Sequence, residues 1–399
     1  MRLAGVHIRK HPFPHFSRHN MAIEKKLTPL EKILKNTTVA NTATINKSRF
    51  FKDIDFIQTQ VPAINVAFSG LLDGGLSSGL TIFAGPSKHF KTAFLMLCIR
   101  AYFDKYEDAT CLFYDNEYGA PQSYFESFGI DINRVVHTPI KHIEELKFDI
   151  VKQFEGLEFG DHVIVVVDSL GNLASKKELE DAINQKSVAD MTRAKEAKGL
   201  VRTATGYLKP LDIPMIAAGH TYKEMSLFPK DILSGGTGYY YLAQNIFFIG
   251  RSQDKNEKTK EIEGWNFNLT VEKSRLVKEK SKISLEVSYE SGINPWSGLL
   301  EIALETGHVL NPKQGQYVKK GEETVYTQKK TNTRAFWESI LQDETFKTAV
   351  KNMFTVASGS ILQDLTGEEE PETQDEPSSD TSTNVESFED LKPKKKRAK

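Results

Sequence analysis

The stretch Leu80-Thr-Ile-Phe-Ala-Gly-Pro-Ser-Lys-His-Phe-Lys-Thr92 decides the fold. Residues 80–84 form a short apolar run typical of a strand buried on both faces of a sheet, and residues 92–106 continue in a helix-like pattern. A loop that closes onto a helix N-terminus aims backbone N–H groups at phosphates, while a lysine reaches the β and γ oxygens and a hydroxyl coordinates Mg²⁺. Lys91 and Thr92 stand where those two groups are needed. The segment therefore predicts a nucleotide-binding loop.

One position of this loop departs from the G-x-x-x-x-G-K-[ST] pattern. Phe90 stands where the pattern has its second glycine. A residue with a Cβ atom does not freely take positive φ, so the backbone at Phe90 is predicted to lack that freedom. The candidate nucleotide ligands in the loop are Gly85, Pro86, Ser87, Lys88, His89, Phe90, Lys91 and Thr92.

Further apolar runs alternate with helix-like stretches along the centre of the chain. They lie at residues 109–114, 162–167, 213–218 and 245–249, with a second helix-like stretch at 143–154. This alternation predicts an α/β fold with a mostly parallel sheet. Residues 265–272 and 282–289 instead alternate apolar with polar side chains, which predicts antiparallel strands that extend the sheet's edge.

Polar residues follow three of the predicted strands, at the edge where parallel sheets bind ligands. Asp168 ends the run 163–167 and would support the Mg²⁺ shell; an Asp in this place can also cap the next turn. Glu117 follows the strand 111–114 and is the candidate to orient or deprotonate the attacking water, with a surface-turn acid as the alternative. His220 could sense the γ-phosphate or be a hydrogen-bonded strand terminus.

Composition excludes several classes of protein. Lys and Arg number 52 and Asp and Glu 53, so the chain is no overall polycation and any nucleic-acid site must be local. The two cysteines are too few for a disulfide framework or a multi-cysteine zinc site, which favours a reducing, intracellular compartment. No apolar stretch reaches the roughly 18 residues that a membrane span needs.

A segment suited to single-stranded nucleic acid lies at residues 221–238. Its glycines, which include Gly235 and Gly236, provide flexible backbone; Lys223 and Lys230 attract phosphates, and a base can stack on Phe228. A second, weaker candidate at residues 175–193 mixes lysines and Arg193 with acids.

Taken together, these motifs resemble those of the RecA-type recombinases, and especially of their bacteriophage branch, over about residues 27–365. The strings that carry the resemblance are Ala84-Gly-Pro-Ser-Lys-His-Phe-Lys-Thr92, Cys111-Leu-Phe-Tyr-Asp-Asn-Glu117, Val167-Asp-Ser-Leu-Gly-Asn-Leu-Ala-Ser-Lys-Lys177 and Val271-Glu-Lys-Ser-Arg-Leu-Val-Lys-Glu-Lys-Ser-Lys282. By this resemblance, the phage branch itself tolerates Phe at the Phe90 position.

The resemblance implies a role for each candidate residue. Lys91 and Thr92 would bind ATP and Mg²⁺, Glu117 would activate water, and Asp168 would support the metal. Tyr124 and Tyr289 are placed with the nucleotide, and His220 replaces a glutamine that senses the γ-phosphate. Arg193 and the 221–238 loop fall in the two DNA-contacting regions.

Two cations, Lys273 and Arg275, match a pair that reaches the ATP of the next subunit. The family pattern has two lysines there, so Arg275 is a departure, with greater bidentate capacity. The alternative for both is a solvated edge strand, whose charge would block aggregation.

The implied architecture is an α/β fold: a RecA-like P-loop ATPase core with a mostly parallel sheet extended by antiparallel strands, a short helical N-terminal arm, a small C-terminal region and a disordered tail. The predicted divisions are a disordered extension (1–21), an N-terminal helix and oligomerisation arm (22–60), the ATPase core (61–310), the small C-terminal region (311–365) and an acidic, then basic, disordered tail (366–399). Within the arm, Thr28 is expected to cap a helix whose apolar face packs on a neighbouring subunit or on its own domain.

The implied function is that of a DNA-dependent ATPase. It would form filaments on single-stranded DNA and catalyse homologous pairing and strand exchange with double-stranded DNA, in recombination, repair and recombination-dependent replication. The expected cofactors are ATP and Mg²⁺. The expected partners are DNA, further copies in a helical homo-oligomer, a recombination mediator and a single-strand-binding protein, with no membrane, in the cytoplasm of the infected bacterial host.

Two alternatives stay open on the sequence. A hexameric replicative helicase of the same core would usually bring a separate N-terminal domain, for which the short arm at 27–51 leaves no room. A non-catalytic, nucleotide-binding recombination mediator would not need Lys91, Glu117 and Asp168 intact.

Overall fold

The computed structural model describes residues 27–51, 54–185, 192–225, 227, 229–236, 238–256 and 259–356. All of them belong to one of two compact units, Met1–Val356; the second is Ala357–Lys399. The predicted extension at 1–21, the tail at 366–399 and the candidate DNA contact Phe228 lie outside the described residues.

Strands and helices alternate through the first two thirds of the described chain. The strands are β1 (Gly79–Ala84), β2 (Thr110–Asp115), β3 (Val135–Pro139), β4 (Val163–Asp168), β5 (Pro214–Gly219), β6 (Thr221–Lys223), β7 (Asp231–Leu233), β8 (Asn245–Lys255), β9 (Ile262–Ser274), β10 (Lys282–Ser288), β11 (Gly292–Ile293), β12 (Val309–Lys313), β13 (Gln316–Lys319) and β14 (Tyr326–Thr327). The helices are α1 (Pro29–Asn36), α2 (Pro62–Ser69), α3 (Lys91–Lys105), α4 (Gln122–Ser127), α5 (Ile143–Glu155), α6 (Lys176–Ile183), α7 (Thr192–Leu211), α8 (Gly238–Leu242), α9 (Leu299–Glu305), α10 (Gln328–Thr331), α11 (Arg334–Gln342) and α12 (Glu344–Phe354).

Among the described residues, nine strands form the main sheet, in the order β11-β10-β9-β8-β1-β5-β4-β2-β3. The six neighbouring strands β8, β1, β5, β4, β2 and β3 are parallel. On the other side of β8, strands β9, β10 and β11 continue the sheet in antiparallel fashion. The predicted mostly parallel sheet with antiparallel extension is confirmed. β9 lies between β8 and β10, but its pairing with β10 reaches only Thr270, so the alternative of a solvated strand end for Lys273 and Arg275 stays open.

The pleat of the strands divides the interior into two cores, one on each face of the sheet. Leu80, Ile82 and Ala84 of β1 pack with residues of α5 and α7, whereas Phe83 packs with α2 and α3. Successive side chains of a strand point to opposite faces, so a strand covered by helices on both sides is apolar on both faces. Thr81 is the one polar residue of this run, and it is buried too. This explains why the run 80–84 shows no alternation.

Four phenylalanine rings form a continuous chain between the sheet and helices α2 and α3. Phe68 meets Phe247 edge to face at 5.5 Å, Phe247 stacks on Phe83 at 5.3 Å, and Phe83 stacks on Phe94 at 5.1 Å. All four are buried. Aromatic pairs of this kind add roughly 0.5–1.5 kcal/mol beyond their buried area. The chain joins α2 and α3 to the centre of the sheet.

The C-terminal region adds a small sheet and three helices to the same core. Strands β12, β13 and β14 pair antiparallel, and Phe336, Trp337 and Phe346 from α11 and α12 are buried in the core that contains Phe83. The boundary at 311 stays a prediction. Among the described residues, no helix has the length and apolar character to cross a membrane.

Helix α1 has the predicted cap and an unpacked apolar face. Glu31 N–H donates to Thr28 Oγ1 at 3.2 Å and Thr28 N–H donates to Glu31 Oε2 at 2.7 Å, which is a capping box. Leu30, Ile33 and Leu34 are 51%, 66% and 37% exposed. The structure therefore does not place this face on its own domain.

The aromatic chain generates a stability prediction. Replacing Phe247 by Ala should lower the free energy of unfolding by about 3–5 kcal/mol, since it removes a fully buried ring that touches two others. Urea denaturation followed by circular dichroism measures the change. The matched control is Phe148→Ala on α5, where the ring is 69% exposed and the expected loss is below about 0.5 kcal/mol. Equal losses in the two variants would contradict the packing described.

Candidate nucleotide-binding site

The ends of four parallel strands bring the candidate residues together. Ala84 pairs with Gly219, and Asp115 pairs with Asp168, so β1, β5, β2 and β4 end at one edge of the sheet. The loop that follows β1 begins at Gly85, and α3 starts at Lys91. Loops after parallel strands converge at this edge, which is where such sheets bind ligands.

Lys91 is buried at the start of α3. Its Nζ donates to the carbonyl oxygens of Gly85, at 3.2 Å, and Pro86, at 2.9 Å. Burial lowers the pKa of Lys91, while the carboxylates of Glu117 and Asp168 oppose that shift. A buried ammonium group with carbonyl partners beside a helix N-terminus suits an anionic ligand.

Thr92 and Asp168 form the candidate metal-binding pair. Thr92 Oγ1 donates to Asp168 Oδ2 at 2.7 Å. Burial raises the pKa of Asp168 to about 6; the nearby carboxylates of Glu117 and Asp115 add to this, and the Thr92 hydrogen bond opposes it. A divalent cation favours the ionised carboxylate, and hydroxyl and carboxylate oxygens are the ligands that Mg²⁺ prefers. The two side chains fit such an ion.

Glu117 is held by three donors. Its Oε1 accepts from Ser169 Oγ at 2.6 Å, from Asn172 Nδ2 at 2.8 Å and from His220 Nε2 at 2.9 Å. The hydrogen bond from His220 is the largest cause that lowers the pKa of Glu117 to about 2, with Ser169 adding to it. A carboxylate of such low pKa is a weak base. Glu117 is therefore suited to orienting a water molecule rather than to removing a proton from that water before it attacks.

Sequence reasoning missed Ser169 and Asn172 as members of the site. Both lie within four residues of Asp168, where β4 ends, so their place in the chain was the available signal. Gly171, which lies between them, leaves no room for a side chain, because a Cβ atom there would lie 2.8 Å from His220 N. This turn thus brings His220 close to Glu117.

These groups surround a cavity of about 340 Å³. Its lining includes the loop from Ser87 to Thr92, together with Glu117, Tyr124, Asp168 and His220. A larger cavity of about 460 Å³ lies beside β2 and β3, near Phe113 and His137. The smaller cavity is the candidate nucleotide site, because Lys91 and the residues that lead into α3 line it.

Tyr124 and Tyr289 occupy different places. Tyr124 on α4 lines the cavity, and burial raises its pKa. Tyr289 follows β10, is 68% exposed and accepts a hydrogen bond from Trp265 Nε1 at 2.7 Å. It does not line the cavity, so its contact with nucleotide stays a prediction.

Lys273 and Arg275 lie far from the phosphate loop of their own chain. The side chain of Lys273 contacts the carbonyl oxygen of Tyr240. In the sheet, Lys273 of β9 pairs with Ile246 of β8, which pairs in turn with Ile82 in the middle of β1. Arg275 is exposed beside Gly79, at the opposite end of β1 from the loop. Neither cation can serve the site of its own chain in this arrangement.

The segment predicted to bind DNA begins as a short hairpin. Strands β6 and β7 pair, and Lys223 forms an ion pair with Asp231 at 2.9 Å. Lys230 is exposed, and Gly235 and Gly236 have positive φ in the turn that follows β7. Residues 221–223 and 231–233 thus pair in a hairpin, and the expectation that the glycines make the segment mobile stays a prediction.

Arg193 has its own contacts at the start of α7. Its guanidinium donates to the carbonyl oxygen of Leu173 at 2.9 Å and to that of Gly171. These two carbonyls flank Asn172. Arg193 therefore supports the turn that holds Glu117, and its contact with DNA stays a prediction.

Comparisons with known proteins agree with this geometry. The RecA N-terminal domain matches residues 21–294, and a family described as "Bacteriophage T4, Recombination and repair protein, C-terminal domain" matches residues 296–350. The recombination and repair protein of Enterobacteria phage T4 is 41% identical over 382 residues, which covers 90% of this chain and 97% of the relative. The protein RecA of Acidiphilium cryptum (strain JF-5) is 22% identical over 298 residues, or 73% of this chain and 81% of the relative. A phosphate loop at the edge of a mostly parallel sheet, a relative similar over nearly its whole length and a matching domain over most of the core lead to one conclusion: the chain belongs to the RecA family.

Proposed function

We propose that the chain is a DNA-dependent ATPase that assembles on single-stranded DNA and catalyses homologous pairing and strand exchange. The observation that carries the proposal is the convergence of Lys91, the Thr92–Asp168 pair and the triply held Glu117 on one cavity. Membership of the RecA family supports it.

The residues of the site divide the work of hydrolysis. ATP with Mg²⁺ supplies the phosphoanhydride bond that is cleaved. Lys91 balances the charge of the phosphate groups, and Thr92 and Asp168 provide oxygen ligands for the metal. Glu117, held by three donors, orients the water.

His220 joins this site to the segment proposed to bind DNA. It lies between Gly219, the last residue of β5, and Thr221, the first residue of β6, and its side chain donates to Glu117. Movement of the β6–β7 hairpin therefore changes the surroundings of Glu117. Through this contact, DNA binding would change the rate of ATP hydrolysis.

The proposed assembly is a helical homo-oligomer. The exposed apolar face of α1 would pack on a neighbouring copy, and Lys273 and Arg275 would reach the phosphates of an adjacent site. A recombination mediator, a single-strand-binding protein and double-stranded DNA complete the proposed set of partners.

Three measurements test the proposed function. We expect hydrolysis of ATP to depend on single-stranded DNA, a strand-invasion assay to give joint molecules, and electron microscopy with an ATP analogue to show filaments. Rings would favour the helicase alternative, and nucleotide binding without hydrolysis would favour the mediator.

Replacing Glu117 by Gln should lower DNA-dependent turnover by about 10²-fold or more while ATP still binds, because the water loses its charged partner. Phosphate release measures the rate, and an equilibrium titration measures ATP binding. The matched control is Glu155→Gln on the exposed end of α5, with an unchanged rate. An unchanged rate in Glu117→Gln would return that residue to a surface-turn role.

Replacing Lys223 by Ala should weaken binding to single-stranded DNA and reduce the slope of log affinity against log salt by roughly 0.7. Asp231→Ala should have the opposite effect on affinity, because it removes the carboxylate paired with Lys223. Fluorescence anisotropy at several salt concentrations measures both, with the exposed Lys152→Ala on α5 as the control. Identical effects of Lys223→Ala and Asp231→Ala would argue that the ion pair acts only by holding the hairpin.

Mixing two inactive variants tests whether the cations act across an interface. Arg275→Ala and Lys91→Ala subunits should each be inactive alone, and their mixture should regain part of the DNA-dependent hydrolysis. Some mixed interfaces pair an intact loop with an intact Arg275, which stabilises charge on the transferred phosphoryl group. Absence of recovery, with co-assembly demonstrated, would exclude a role for Arg275 across the interface.

A further inference from the structure

Phe90 has a backbone conformation that its residue type disfavours. Its φ is 61° and its ψ is 17°, in the left-handed region, at the residue immediately before α3. This region raises the free energy of a residue that has a Cβ atom, because the Cβ crowds the following carbonyl oxygen. The prediction that this position would not freely take positive φ thus identifies a cost that the structure must offset.

The ring of Phe90 is fixed by two other rings. It stacks on Phe267 of β9 with the centroids 4.6 Å apart and the planes at 14°, and it meets Phe94 of α3 edge to face at 6.1 Å. Phe267 and Phe94 are both buried. Phe90 therefore extends the chain of rings described above from Phe94 to β9, and rotating its φ to a negative value would carry the ring away from Phe267.

We propose that Phe90 and Phe267 are positioning residues that hold the phosphate loop in its nucleotide-binding conformation before nucleotide arrives. Stacking stabilises at Phe90 the left-handed backbone that a glycine adopts without a side chain. The inference rests on the proposed function in one respect, that the loop's ligand is a nucleoside triphosphate.

A second left-handed residue of the loop is held by the same pair of strands. Lys88 has a φ of 63°, and its carbonyl oxygen accepts from Arg251 Nη1 at 2.9 Å. Arg251 lies directly opposite Phe267 in the β8–β9 register, and its guanidinium sits 4.2 Å from the centre of the Trp265 ring. The cross-strand pair Arg251–Phe267 therefore contacts both left-handed residues of the loop and supports its backbone at both positions.

The test compares three residues at position 90 by titration with a fluorescent ATP analogue and Mg²⁺. Phe90→Ala should raise the Kd about 10-fold, because an unstacked residue leaves the left-handed region and the loop must be reordered on binding. Phe90→Gly should stay within about 3-fold of the wild type, because glycine enters that region freely. A purely structural role of the ring would predict that Gly is no better than Ala.

A double-mutant cycle connects the effect to the stack. Phe267→Ala should raise the Kd about 5-fold with Phe90 present, and less than about 2-fold in the Phe90→Gly background, where no stacking is needed. Phe154→Ala removes a ring of equal size from the core on the other face of the sheet. That control should lower the midpoint of thermal unfolding and leave the Kd unchanged.

Hydrogen exchange of the loop amides in nucleotide-free protein provides a readout independent of binding. Exchange should be faster in Phe90→Ala and Phe267→Ala and unchanged in Phe154→Ala. Wild-type affinity in Phe90→Ala, or an equal effect of Phe267→Ala in both backgrounds, would overturn the inference alone. A wild-type protein that fails to bind the analogue would overturn the proposed function, and the inference with it.

Discussion

The hydrogen-bond ladder between parallel strands is the constraint on which the rest of the structure depends. Parallel pairing places Ala84 beside Gly219 and Asp115 beside Asp168, so the residues that follow those strands emerge at one edge. A one-residue change of register would reverse the faces of every side chain in the shifted strand, and two buried cores resist that change. The positions of Lys91, Glu117 and His220 thus follow from backbone pairing several residues away.

Within this frame, the site combines strongly held charges with a deep apolar support. Three donors hold Glu117, and two backbone carbonyls hold Lys91. Directly beneath the loop, phenylalanine rings connect α3 to β1, β8 and β9. Aromatic packing is dense and tolerates little displacement, so it is suited to holding a loop that must present several backbone N–H groups at once.

Much of this could be predicted from the sequence, because the buried parallel strands are unbroken apolar runs and the loop has a distinctive pattern. β3 was not predicted, since Val135–Pro139 lies at the sheet's edge, is largely exposed and contains a histidine and a proline. The β6–β7 hairpin was not predicted either, because its strands have three residues each and show no usable period. The conformation of Phe90 depends on Phe267, a contact between residues 177 positions apart in the chain. Rules based on neighbouring residues identify the unfavourable backbone at Phe90 but not the distant Phe267 ring that offsets its cost.

Strand β9 has a mechanical consequence in the proposed assembly. It contacts the phosphate loop of its own chain through Phe267, and it leads directly into Arg275, which would serve the adjacent site. At ~3.3 Å per residue, the two residues are separated by roughly 26 Å of extended backbone. This stretch pairs with β8 as far as Ser274 and with β10 as far as Thr270. In the proposed filament, one strand would thus connect the phosphate loop of its own chain with the site of the adjacent chain.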